Sequence, residues 1–174
     1  MKYKKLLITS CIANVLLVIF ATFFVVKFNQ AEETLVQNEQ NLLREFVKNQ
    51  ESIKIELNSS LNDTNEFSEI DLTTALTLNF ANIKLFDDVS IPNDLERFHT
   101  DLNVYIHNLL IKINDETLHS SDAEDIKTVI DTLTNYQKEL NFNFYDSPTE
   151  IKKKLEIAEK EVITPFLKSN SNPF

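Results

Sequence analysis

Not one of the 174 residues is glycine. At an average usage of about 7%, a chain of this length would carry about 12. Glycine takes positive φ without steric cost, so two-residue hairpins, phosphate-cradling loops and sharp strand-to-helix turns all draw on it. Its absence excludes the P-loop, the G-x-G-x-x-G dinucleotide fingerprint and the G-x-S-x-G nucleophile elbow together. It also disfavours any sheet closed by tight hairpins. Helices have no such need, and the first of the four prolines is Pro92, so nothing before it has to break a helix. The expected fold is all-α.

Hydrophobic spacing agrees. Leu35, Leu42, Phe46, Ile53 and Leu57 step by seven and four, with Leu43 and Val47 widening the stripe. They extend a first helix to about Leu57, where the Asn- and Ser-rich run 58–66 signals a loop. Leu72, Leu76, Phe80, Ile83 and Phe86 mark a second, less regular helix. Leu95, Phe98, Leu102, Ile106, Leu109 and Ile113 step by three and four. Ile126, Ile130, Leu133, Leu140 and Phe144 repeat that pattern, with Tyr136 or Gln137 filling the gap. Ile151, Leu155, Ala158 and Val162 repeat it again before Pro165 ends or kinks the last helix. Asn93 with Glu96, Ser121 with Glu124 and Ser147 with Glu150 have the spacing of a capping residue and its acidic partner, and Pro148 suits a first helical position. Short breaks near 119–121 and 146–147 set neighbouring helices antiparallel. The sum is an antiparallel four- or five-helix bundle with its core over 66–168, a proximal helix and loop at 27–65 and a flexible tail at 169–174.

The N-terminus carries a different signal. Residues 6–26, LLITSCIANVLLVIFATFFVV, hold no formal charge. As a helix they measure roughly 31 Å, close to the ~30 Å hydrocarbon thickness of a bilayer. A removed secretion signal has a shorter apolar run and a small-x-small exit, whereas here Ile19 or Asn29 would stand at the position that must be small. A lipoprotein cut at Cys11 would have only Leu6, Leu7 and Ile8 as its apolar core. The expectation is therefore a single transmembrane helix, with the lipid bilayer as a partner of residues 6–26. Lys2, Lys4 and Lys5 keep residues 1–5 in the cytoplasm. The bundle then lies outside the cell membrane.

Charge and chemistry narrow the function. All 27 acidic residues lie beyond Lys27, against 13 of the 17 basic ones (Lys2, Lys4, Lys5 and Lys27 being the others), a formal charge of −14 for that part. Like charges repel, so nucleic acid is not an expected partner. The one cysteine lies within 6–26, which removes disulfides and CxxC chemistry from the rest. His99, His107 and His119 have no HExxH or ExxH spacing, and no metal or other cofactor is expected. They read as exposed or partly buried side chains. Acids at Asp122, Glu124 and Asp125 read as first-turn residues complementing a helix dipole. No constellation points to an enzyme.

Two segments suggest binding. Phe142, Phe144 and Tyr145 crowd a helix end, where they form a candidate partner-docking patch or close the core. The 35–57 stripe, heptad-like, offers a homodimer interface or a face for the chain's own bundle. The expected role is a binding, scaffolding or accessory component of an envelope assembly, with a membrane or envelope protein as partner. In layout alone the arrangement resembles the extracytoplasmic four-helix domains of bacterial receptors. That likeness implies a sensor as the alternative, one that signals through a partner membrane protein because the chain has no second span and no output domain.

Overall fold

In the computed structural model the backbone is described for residues 2–61, 67–169 and 172–174, and the side chains of these from residue 17 onward. Five helices follow one another among the described residues, with no strand. They are α1 (Lys2–Ser60), α2 (Glu69–Leu85), α3 (Asn93–Asn114), α4 (Ser120–Leu140) and α5 (Pro148–Ala158). The last continues through a π-helical turn, Glu159–Ile163, into Thr164–Leu167. The fold is an all-α bundle.

Two compact units divide the chain, Met1–Asn38 and Glu39–Phe174. In the first, every described residue from Leu17 to Asn38 is exposed. The expectation of a membrane anchor is corrected here. Among the described residues no helix is long and apolar enough to cross a membrane, so the transmembrane span, the single-pass topology and the cell-membrane location do not stand. Residues 6–16 of the segment, Cys11 included, lie outside the described side chains. The described apolar remainder, 17–26, is about 15 Å of helix, half of what a bilayer requires.

In the second unit the helices surround one core. Residues of α1 that face it are Leu43, Phe46, Val47, Ile53 and Leu57, all buried. Most of the 35–57 stripe thus packs within its own chain, while Leu35 remains exposed. Cross-helix bonds show the directions. Asn82 Nδ2 donates to the Phe46 carbonyl at 3.2 Å, while the Ser68 amide donates to the Ser60 carbonyl at 2.8 Å, so α2 runs antiparallel to α1. Lys54 donates to Gln137, and Gln40 to the Asp146 carbonyl beyond α4, so α4 descends against α1 as well.

Helix ends show how the chain manages without glycine. Beyond α3 the Glu116 amide donates to the Ile113 carbonyl and the Thr117 amide to that of Lys112, a Schellman closure whose left-handed residue is Glu116 at φ 52°. Beyond α4, Asn141 takes φ 42°. Asn tolerates this region and Glu does so at a cost of about 1–2 kcal/mol. The cap over Ser147 and Glu150 forms as predicted, with Pro148 in the first turn. Two other caps form differently. His119 and Asp122, not Ser121 and Glu124, box the start of α4. At α3 no side chain of its own first turn caps it; Glu159 of the π turn accepts from the Asp94 amide at 2.7 Å and from the Leu95 amide at 3.2 Å. Pro165 has no amide hydrogen to give, and the wider turn before it absorbs the missing bond. The extra residue shifts the register, so Ile163, not Val162, enters the core.

Candidate docking surface

Helix α4 stops at Leu140, four residues short of the Phe144 that its stripe predicts. The three aromatic residues of 142–145 therefore stand on a turn, and the turn separates them. Phe142 is partly buried against the core. Phe144 is 61% exposed and Tyr145 87% exposed, their rings edge to face with centroids 5.7 Å apart. Over the Phe144 ring lies the Arg44 guanidinium of α1, 4.2 Å from the centroid. Its Nε is shielded from water without a hydrogen-bond partner among the described residues, and the stack on Phe144 helps to hold the group.

The turn is held by its own polar groups. Asp146 Oδ2 accepts from the Asn143 amide at 2.8 Å, and Asn143 Oδ1 accepts from the Tyr145 amide at 2.9 Å. Lys154 of α5 donates to Asp146 Oδ2 at 2.7 Å and to the Asn141 carbonyl at 2.8 Å. Gln40 of α1 donates to the Asp146 carbonyl at 2.7 Å. Burial pushes the Asp146 carboxyl up, but the hydrogen bonds from Lys154 and the Asn143 amide outweigh it and hold the group below its ordinary value. Lys152 pairs with Glu39. Of the three adjacent lysines, only Lys153 is an exposed residue. Lys154 thus clasps the turn, while Lys152 ties α5 to α1.

A second polar place is buried, and sequence reasoning missed it. His99 of α3 is fully buried, which corrects the reading of exposed or partly buried histidines. Its Nδ1 lies 2.6 Å from Asn79 Oδ1, and its Nε2 lies 2.9 Å from Gln50 Nε2. Asn79 Nδ2 donates to the His99 carbonyl at 2.7 Å, which turns Asn79 Oδ1 toward the ring. The ring proton therefore sits on Nδ1, and Nε2 accepts from Gln50. Phe46, Phe86 and Phe98 pack around the imidazole at centroid distances of 5.4, 6.2 and 5.6 Å. Burial in this apolar cage lowers its pKa to about 3, so the ring is neutral at neutral pH. Tyr136 of α4 reaches Gln50 closely enough for the amide to favour its ionised form slightly, although burial dominates and pushes the phenol up. Neither the Tyr136 hydroxyl nor Gln50 Oε1 makes a hydrogen bond of proper geometry. The contact is proximity alone, because distance and angle decide a bond. One signal for the cluster was available: Gln50 fills the seven-residue step between Phe46 and Ile53.

Among the described residues no three His, Cys, Asp or Glu side chains are grouped to hold a metal ion. Compared with protein-family models, with curated proteins and with solved structures, the chain matches none.

Proposed function

We propose that the chain is a binding or scaffolding module, an accessory part of a larger assembly, that docks a protein partner through Phe144 and Tyr145. One observation carries this reading: two aromatic rings, 61% and 87% exposed, project from a turn already fixed by five hydrogen bonds from backbone and side chains. Exposed aromatic anchors dominate binding energy where a partner offers an apolar hollow. A turn ordered beforehand spares the entropy that a loose loop would lose on docking. Catalysis is not part of the proposal, because His99 is sealed from solvent and neutral.

A photoreactive phenylalanine placed at position 145, with a second version at exposed position 70 as the control, tests this in the source cells. One discrete crosslinked protein is expected from position 145 and not from position 70. The same adduct should disappear on Phe144→Ser while helical circular dichroism is kept. An adduct pattern common to both positions, or one indifferent to Phe144→Ser, overturns the docking role.

A further inference from the structure

An open groove of about 320 Å³ lies where α3 leads into α4. Its lining includes Tyr105, Asn108, Lys112, Asp122, Asp125 and Pro173. Some of these groups are already engaged. Asp122 Oδ1 accepts from Lys112 at 2.5 Å and its Oδ2 accepts from the His119 amide at 2.8 Å. Asp125 differs. It is half-buried, and no hydrogen bond or ion pair occupies its carboxylate among the described residues.

Tyr105 supplies the second, independent observation. The residue is only 9% exposed, and its hydroxyl is shielded from water without a hydrogen-bond partner. A buried hydroxyl left unpaired costs about 1–3 kcal/mol, so the position calls for a group that the described residues do not supply. Burial first, then the charges of Asp125 and Asp122, which line the same groove, push the phenol up and keep it neutral. Its ring also packs against that of Phe174, at 5.6 Å between centroids.

These free groups share one character. A carboxylate, a neutral phenol oxygen and the Asn108 amide oxygen all accept hydrogen bonds, and the charges of Asp122, Asp125 and Lys112 leave the groove at −1. A calcium-like cation needs six or more oxygens, which this set does not offer. A primary ammonium carries three donors and one positive charge, and Ile111 and Pro173 give an alkyl chain an apolar wall. We propose that the groove between α3 and α4 binds a small organic primary ammonium ion, its nitrogen held by Asp125 and the Tyr105 hydroxyl. The site is separate from the aromatic turn and does not depend on the docking role.

The test uses the full chain, labelled with ¹⁵N, titrated with n-butylammonium and read by amide chemical shifts. Saturable shifts confined to the surroundings of residues 105–125 are expected. Butyrate, of opposite charge, and tetramethylammonium, which has no N–H donor, should not reproduce them. Asp125→Asn should weaken binding about ten- to hundredfold, as loss of a charge-assisted bond does. Tyr105→Phe should weaken it about three- to tenfold while leaving the fold intact, since the hydroxyl it deletes has no partner among the described residues. Shifts that fail to saturate overturn the proposal. So does an equal response to tetramethylammonium, or an affinity that either substitution leaves unchanged.

Discussion

Helices α2 and α3 pack against each other, yet they bury their inner faces by opposite means. The inner face of α3 is Leu95, Phe98, Leu102, Tyr105, Ile106 and Leu109, with His99 its strongly polar member. The inner face of α2 is Leu72, Ala75, Asn79 and Asn82, half of it amide. Of its other large apolar residues, Leu76, Leu78 and Leu85 are only partly buried against the core, while Ile70 is 79% exposed and Phe80 49% exposed. What α2 lacks in apolar area it makes up in specified bonds. Asn79 grips the His99 ring and carbonyl, and Asn82 grips the Phe46 carbonyl. An apolar face tolerates small slips, whereas a buried amide displaced by one position loses its partners at about 1–3 kcal/mol each. The contrast separates two tasks: α3 supplies cohesion and α2 supplies register.

The apolar side of that contrast is tested hardest at Leu109, which is 1% exposed. Burial of such a side chain contributes roughly 1.5–3 kcal/mol, and an unpaired carboxylate in its place costs several more. Domains hold about 5–15 kcal/mol in total. Leu109→Asp should therefore abolish the cooperative thermal transition of the bundle, followed by circular dichroism. A variant that melts like the parent would mean that α3 is not the cohesive helix.

The same contrast explains what could be read in advance. Helix α3 was legible because each turn returns a large apolar residue to one side. For α2 the stripe Leu72, Leu76, Phe80, Ile83 rotates the true face by one position, since apolar periodicity cannot register asparagines as inward-facing. At Gln50 the same limit shows the third arm of the cluster only as a gap in the apolar stripe, a signal of position and not of partner. Pro165 announced an irregularity but not its form, a π turn that swaps Val162 for Ile163. The candidate docking residues were legible as a group, but not their division. Asn141 in the left-handed region ends α4 early and sends Phe142 inward and Phe144 and Tyr145 out. That glycine was not needed for this turn could not be known from its absence.

The polar side of the contrast is tested by acid. Unfolded, His99 has the ordinary value of 6.5; folded, it has about 3. The unfolded chain takes the proton first, so this stability is fully present above pH 6.5 and is lost as pH falls from there toward 3. The slope is roughly 1.4 kcal/mol per pH unit, which makes about 2 kcal/mol between pH 6.5 and 5. Asp122 and Asp146, whose values are lowered, contribute stability that is lost only at lower pH, through and below the ordinary carboxylate range. Urea midpoints at pH 7 and pH 5 should therefore differ in the parent, and His99→Gln should flatten the difference. An unchanged midpoint in the parent would show that the ring reaches water and that the amide cluster does not seal it.

The smallest effect is expected at Phe80, and it decides which face of α2 is which. A sequence reading puts this ring inward. The structure leaves it half exposed, with the Lys84 ammonium 4.6 Å from its centroid. Such an exposed cation–π contact contributes about 0.5–1 kcal/mol, and surface substitutions away from caps and cores usually stay within about 0.5 kcal/mol. Phe80→Gln should thus cost no more than about 1 kcal/mol by urea denaturation. A core phenylalanine truncated in a closed interior costs about 3–5 kcal/mol, a gap wide enough to measure. If Phe80→Gln falls in that higher range, the aromatic face of α2 is the buried one. Asn79 and Asn82 would then point to solvent, and the division of labour between α2 and α3 would fail at its root.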